Sequence, residues 1–169
     1  MFVLGTSHNV QGSPSFPNGV DDPGYPQVLR AIIPVESIDF IFEEPSGCGR
    51  TTAQRLADSL RTIRYLDIDP HPAVAHEFGI VRITGQAFPG NINDEERVEE
   101  QSKREELWCK RIVEQHFKSG LVVCGYLPIL SFAFRLRSAG FGVKYDQYIP
   151  HEKLCTRLHQ DDAAATITP

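Results

Sequence analysis

Five side chains in this sequence have the types and spacing to do chemistry: His8, Glu43, Glu44, Asp69 and Arg104. His8 follows Phe2-Val-Leu-Gly-Thr-Ser, and an imidazole ending an apolar run can serve as a general base or a metal ligand. A loop histidine bonded to a backbone carbonyl is the competing reading. Glu43 and Glu44 follow Asp39-Phe-Ile-Phe without a break. Side chains alternate across a strand, so one glutamate must enter a buried environment, where a carboxylate demands a cation, a metal or a proton. A structural ion pair with Arg50 or another arginine would also satisfy it. Asp67 and Asp69 alternate along the next run, although Asp69-Pro70 is equally a turn opener. Arg104 stands four residues before Trp108, so the two share a helix face, and the bland alternative is an arginine snorkelling at the core border.

The elements that position these groups follow from apolar runs alternating with amphipathic ones. Strands are expected at Phe2 to Thr6, Phe40 to Glu43, Arg64 to Ile68, Leu121 to Cys124 and Val143 to Tyr148. Helices are expected at Gln27 to Ile33, from Thr51 or Thr52 to Leu60, from Asp94 to Phe117 with Trp108, Ile112 and Val113 facing the core, and from Ile129 to Ala139. A helical turn fits Ala73 to Glu77. The stretch from Asn9 to Pro26 is too long for an ordinary connection and reads as a lid. This alternation predicts one α/β domain over residues 1–150, with a five-stranded, mainly parallel sheet and helices on both faces. The simplest order is 3-2-1-4-5, with a frayed tail over 151–169. In such sheets ligands bind outside the carboxyl ends of the strands, where the polar residues gather.

Bulk composition narrows the partners. At 169 residues, 41% hydrophobic and 23% charged, the chain reads as an ordinary globular protein. A net charge of −5 is a poor match for a phosphate backbone, which argues against nucleic acid. No apolar run nears the ~20 residues of a membrane span. With no leader before the first strand and four dispersed cysteines, a cytoplasmic protein with reduced thiols is expected. Cys48, beside Arg50 at a helix start, has no assignable histidine partner for nucleophilic work. Gly47 to Thr52 opens a helix as an anion seat but lacks the spacing and lysine of a P-loop.

Gly5-Thr-Ser-His8 has the form G-x-x-H, followed by the acidic pair Glu43-Glu44, by Arg104 in a late helix, and by Leu121-Val-Val-Cys-Gly125 and Gly140-x-x-Val143. In these features the chain resembles the TraB/Tiki/ChaN group, which includes erythromycin esterase-like members. That resemblance implies an α/β fold with a cleft centred on His8 and Glu44. Metal-dependent members carry a second G-x-x-H on the late strand. Here the matching residues are Gly125-Tyr-Leu-Pro128, and proline offers no lone pair. The expectation is a hydrolase-like protein in which activated water attacks an ester or peptide-like carbonyl of a small molecule or peptide. His8 and Glu44 would act as base or metal ligands, with Asp69 or His71 replacing the missing histidine around manganese, cobalt or zinc. Glu43 would support them and Arg104 would orient the substrate. The alternative is a non-catalytic relative that binds a small anion or a partner protein. A dinucleotide-binding module fits less well, because Gly5-Thr-Ser-His is not the G-x-G-x-x-G turn.

Overall fold

Leu121-Val-Val-Cys124 offers no polar side chain to either face of a sheet, and in a computed structural model of the chain it runs through the middle of one. The structure describes residues 1–12, 22–44, 49–69, 72–80 and 94–149. Its elements are β1 (Phe2–Thr6), a 3-10 turn (His8–Val10), α1 (Gly24–Val35), β2 (Phe40–Glu43), α2 (Thr52–Leu60), β3 (Arg64–Asp67), α3 (Pro72–Glu77), α4 (Asp94–Val113), β4 (Gly120–Gly125), α5 (Ile129–Ser138) and β5 (Lys144–Tyr148). All four ladders are parallel, so the α/β class stands. Residues 13–21 of the expected lid, the segment holding Cys48, His71 and the expected tail lie outside the described residues.

The strand order is 3-2-4-1-5, which corrects the expected 3-2-1-4-5. β4 neighbours β1 as anticipated, but it also separates β1 from β2. The reason lies at the entry to β4. Phe40 and Phe42 stack with ring centroids 4.3 Å apart, and Phe117 packs edge-on against Phe42 at 5.1 Å. The Asp39 carboxylate accepts from the backbone N–H groups of Lys118 and Ser119. Chain leaving α4 is thereby delivered beside β2. Gly120 completes the fit, since a Cβ there would stand 2.9 Å from the Phe42 ring. The polar strands Arg64–Asp67 and Lys144–Tyr148 take the edges, where one flank is left unpaired.

Two cores flank the sheet. Leu4, Ile41, Leu121 and Val123 meet Leu29 and Ile33 of α1 and Leu56 of α2 on one face. Val3, Phe42, Val122 and Cys124 meet Trp108 and Ile112 of α4 and Phe132 and Leu136 of α5 on the other. The helix boundaries differ in detail from expectation. α1 starts at Gly24 with Pro26 in its first turn, where no N–H bond is lost, and runs through Pro34. α4 stops at Val113, which is 54% exposed and not part of the core stripe. Trp108 and Ile112 are four apart and share a face, whereas Val113 lies about 100° further round. No helix among the described residues is long and apolar enough to cross a membrane.

Gly5 lets α5 settle on the carboxyl half of β1, because a Cβ at that position would land on the Ile129 side chain. Gly5→Ala should therefore cost about 1–3 kcal/mol in urea unfolding. In the double variant with Ile129→Ala the loss should be smaller than the sum of the two single losses. Strict additivity would show that the two positions do not touch.

Candidate functional site at the carboxyl edge of the sheet

The alternation of β2 sends its two terminal glutamates to opposite faces. Glu44 turns to the α4 side. Its Oε1 accepts from Arg104 Nη2 at 2.7 Å, and its Oε2 accepts from the Gly125 N–H at 2.9 Å. The same guanidinium nitrogen donates to Asp69 Oδ1 at 2.8 Å, and the Trp108 indole N–H reaches that oxygen at 3.1 Å. Arg104 also lies over the Trp108 ring, 4.9 Å from its centroid. Burial works to lower the Arg104 pKa, but Glu44 and Asp69 outweigh it and the value rises. Asp67 closes the turn after β3 by accepting from the Asp69 N–H at 2.8 Å, which places Asp69 beneath the arginine.

His8 comes to this cluster from β1, across the end of β4. Its Nε2 stands 3.8 Å from Glu44 Oε1, and its side chain is 27% exposed against 3% for Glu44. On the other side of the ring, Nδ1 faces the amide oxygen of buried Gln11 at 3.2 Å. The ring is thus held between Gln11 at Nδ1 and Glu44 at Nε2. Gly125 is needed here, as a Cβ would lie 3.0 Å from His8 Nε2.

Glu43 faces the α1 and α2 side and so does not support His8 as expected. Its Oε2 accepts from the hydroxyls of Thr51, the N-cap of α2, and of Tyr65. Burial pushes its pKa up to about 8, more than those two bonds draw it down, so this carboxyl is protonated at neutral pH. Arg50 pairs with Asp58 at 3.1 Å, not with either glutamate.

Of the expected site residues, then, His8, Glu44, Asp69 and Arg104 gather at one place and Glu43 stands behind the sheet. The proposed ligand trio His8, Glu44 and Asp69 does not fit a divalent metal. Arg104 fills the position between the two carboxylates that a cation would take, and no three His, Cys, Asp or Glu side chains among the described residues form a ligand set. Arg104 is likewise committed to carboxylates instead of to a substrate. Sequence reasoning missed Gln11, three residues after His8. The signal was present in the short polar turn that starts at His8, where positions three apart meet.

Two variants test this electrostatic layout. Folded Glu43 keeps its proton up to about pH 8, while the unfolded chain releases it near 4.5. Its contribution is complete below pH 4.5 and is lost as pH rises to 8, so Glu43→Gln should stabilise the protein on the order of 2–4 kcal/mol at pH 8.5 and change little at pH 4.5. Melting curves at the two pH values give the answer, and an equal effect at both would mean that Glu43 is ionised throughout. Arg104→Met should cost about 3–5 kcal/mol in the same melting curves at pH 7 by leaving two buried carboxylates facing one another, and a loss below about 1 kcal/mol would mean that the arginine does not hold them together.

Comparison of the chain with protein-family models, with curated proteins and with solved structures finds no match.

Proposed function

We propose that this protein hydrolyses an acyl bond, ester or peptide-like, in a small molecule or peptide held at the carboxyl edge of its sheet. One observation carries the reading: a partly exposed imidazole with Nδ1 turned to Gln11 and Nε2 turned to a buried carboxylate, Glu44. This is the arrangement of a general base with its orienting groups. His8 Nε2 takes a proton from water as the water attacks the carbonyl carbon, and Glu44 stabilises the imidazolium that forms. Arg104 and the Gly125 N–H hold Glu44 in place. His8 then returns the proton to the departing oxygen or nitrogen. The free thiols Cys109 and Cys124 accord with a cytoplasmic setting, and the net charge of −5 accords with substrates other than nucleic acid.

The second reading, a non-catalytic binding protein of the same fold, draws support from Arg104. Its bonds to both Glu44 and Asp69 leave a cluster whose charges already answer one another.

A panel of 4-nitrophenyl esters and peptide anilides separates the two. Hydrolysis should fall about 100-fold or more in His8→Asn. Turnover that survives His8→Asn unchanged, or binding with no turnover across the panel, would move the conclusion to the second reading.

A further inference from the structure

Gln11 Nε2, Tyr25 OH and Glu43 Oε1 are buried and have no hydrogen-bond partner among the described residues. All three side chains are fully shielded from solvent. They come from different elements that are neighbours around the start of α2. The Gln11 carbonyl accepts from the Thr52 N–H at 2.8 Å, in the first turn of α2. Glu43 accepts from Thr51, the N-cap of that helix. Tyr25 opens α1 within the same core as Val10, Ala53 and Val123, and its hydroxyl lies within the field of Glu43. Gly12, with φ of 74°, brings the backbone after Gln11 against α2, and a Cβ there would stand 2.7 Å from Thr52 Oγ1. The three groups thus lie on the α1 and α2 side of the sheet, behind the carboxyl ends of β1 and β2 and on the face opposite Arg104, next to where an open α/β sheet has its crevice. An open α/β sheet binds its ligands in such a crevice.

The chemistry of the three atoms narrows the ligand. An amide nitrogen only donates. Burial, and after it Glu43, raise the Tyr25 pKa well above its ordinary value, so that hydroxyl also arrives with its proton. Both groups need an acceptor. A full anion would sit beside Glu43 without a bonded counter-charge, since Arg55 is engaged by Arg50 O and Thr52 Oγ1. A neutral carbonyl oxygen carries no such penalty.

We propose that Gln11, Tyr25 and Glu43 form a buried seat for the carbonyl oxygen of a neutral acyl compound, an ester or an amide. The seat rests on the hydrolytic reading for the fate of the bound compound, and Gln11 links the two, with its amide oxygen on His8 and its amide nitrogen in the seat. Donors aimed at a carbonyl oxygen polarise the C=O bond and gain strength as charge develops on it, which is how an oxyanion is stabilised.

The test needs no substrate. N-methylacetamide, methyl acetate, acetate and inorganic phosphate are titrated into the nitrogen-15-labelled full chain at pH 7, and the Gln11 side-chain amide signals are followed. The two neutral probes should shift those signals saturably, in the millimolar range open to fragments of about five heavy atoms. Acetate and phosphate should bind roughly 10-fold more weakly or worse. Tyr25→Phe should weaken the neutral probes about 5- to 10-fold at an unchanged far-ultraviolet spectrum. Should that variant unfold, Gln11→Met read through the Tyr25 ring signals carries the same expectation. Gln11 signals that no probe moves, or anions binding as tightly as the neutral probes, would overturn the seat. Hydrolysis without any response at Gln11 sinks the seat alone, whereas a responsive Gln11 without hydrolysis sinks only the hydrolytic reading.

Discussion

The Arg104 guanidinium holds together two carboxylates that would otherwise repel each other across the carboxyl edge of the sheet. Glu44 comes from the end of β2, Asp69 from the turn after β3, and the arginine from the middle of α4. Burying three charges is costly, and a buried pair repays that cost only when its remaining hydrogen-bonding capacity is also filled. Here Gly125 N–H adds a bond to Glu44 and Trp108 one to Asp69, while Arg111 holds the Asp69 backbone carbonyl at 2.9 Å. The long connection between β3 and β4 is thereby pinned where it crosses the strand ends. The same closure limits what the cluster can do. Its charges face each other, and His8 is the most exposed member of the cluster.

Glu43 and Glu44 show how completely surroundings decide the state of a carboxyl group. The two are consecutive and identical in type. One meets a guanidinium and a backbone N–H; the other meets two hydroxyls in a dry core and keeps its proton. A single backbone step therefore places an anion on one side of the sheet and a neutral acid on the other.

Much of this was legible in the sequence. Apolar runs ending in polar clusters gave the five strands, and the strict alternation of a pleated chain required the two glutamates to part company. The four-residue spacing of Arg104 and Trp108 gave their shared face. Strand order was not legible, because β1 and β4 are both apolar enough for a central place. The choice was made by distant partners, Phe117 on Phe40 and Phe42 and Asp39 on the backbone at Lys118. The metal set failed for a related reason. Spacing along the chain can bring His8, Glu44 and Asp69 to one edge, but it does not reveal that a cation from a helix 60 positions after Glu44 already stands between two of them. Gln11 was missed because a buried amide looks like any other polar residue of a Gly- and Ser-rich stretch.

The strand order also bears on how the chain is made. β4 lies between β2 and β1, yet it is synthesised after both. As the polypeptide leaves the ribosome, β2 and β3 can pair, but β1 has no neighbour until residues 120–125 emerge, and β5 comes later still. Until then the nascent chain carries an open gap through its sheet, with the unpaired edges of β1 and β2 exposed on either side. Such edges invite other chains, and the long sequence separation between β1 and β4 delays the contact that closes the gap. Ribosome pausing or truncation before Gly120 would leave a lone β1 and a β2–β3 pair with nothing to join them.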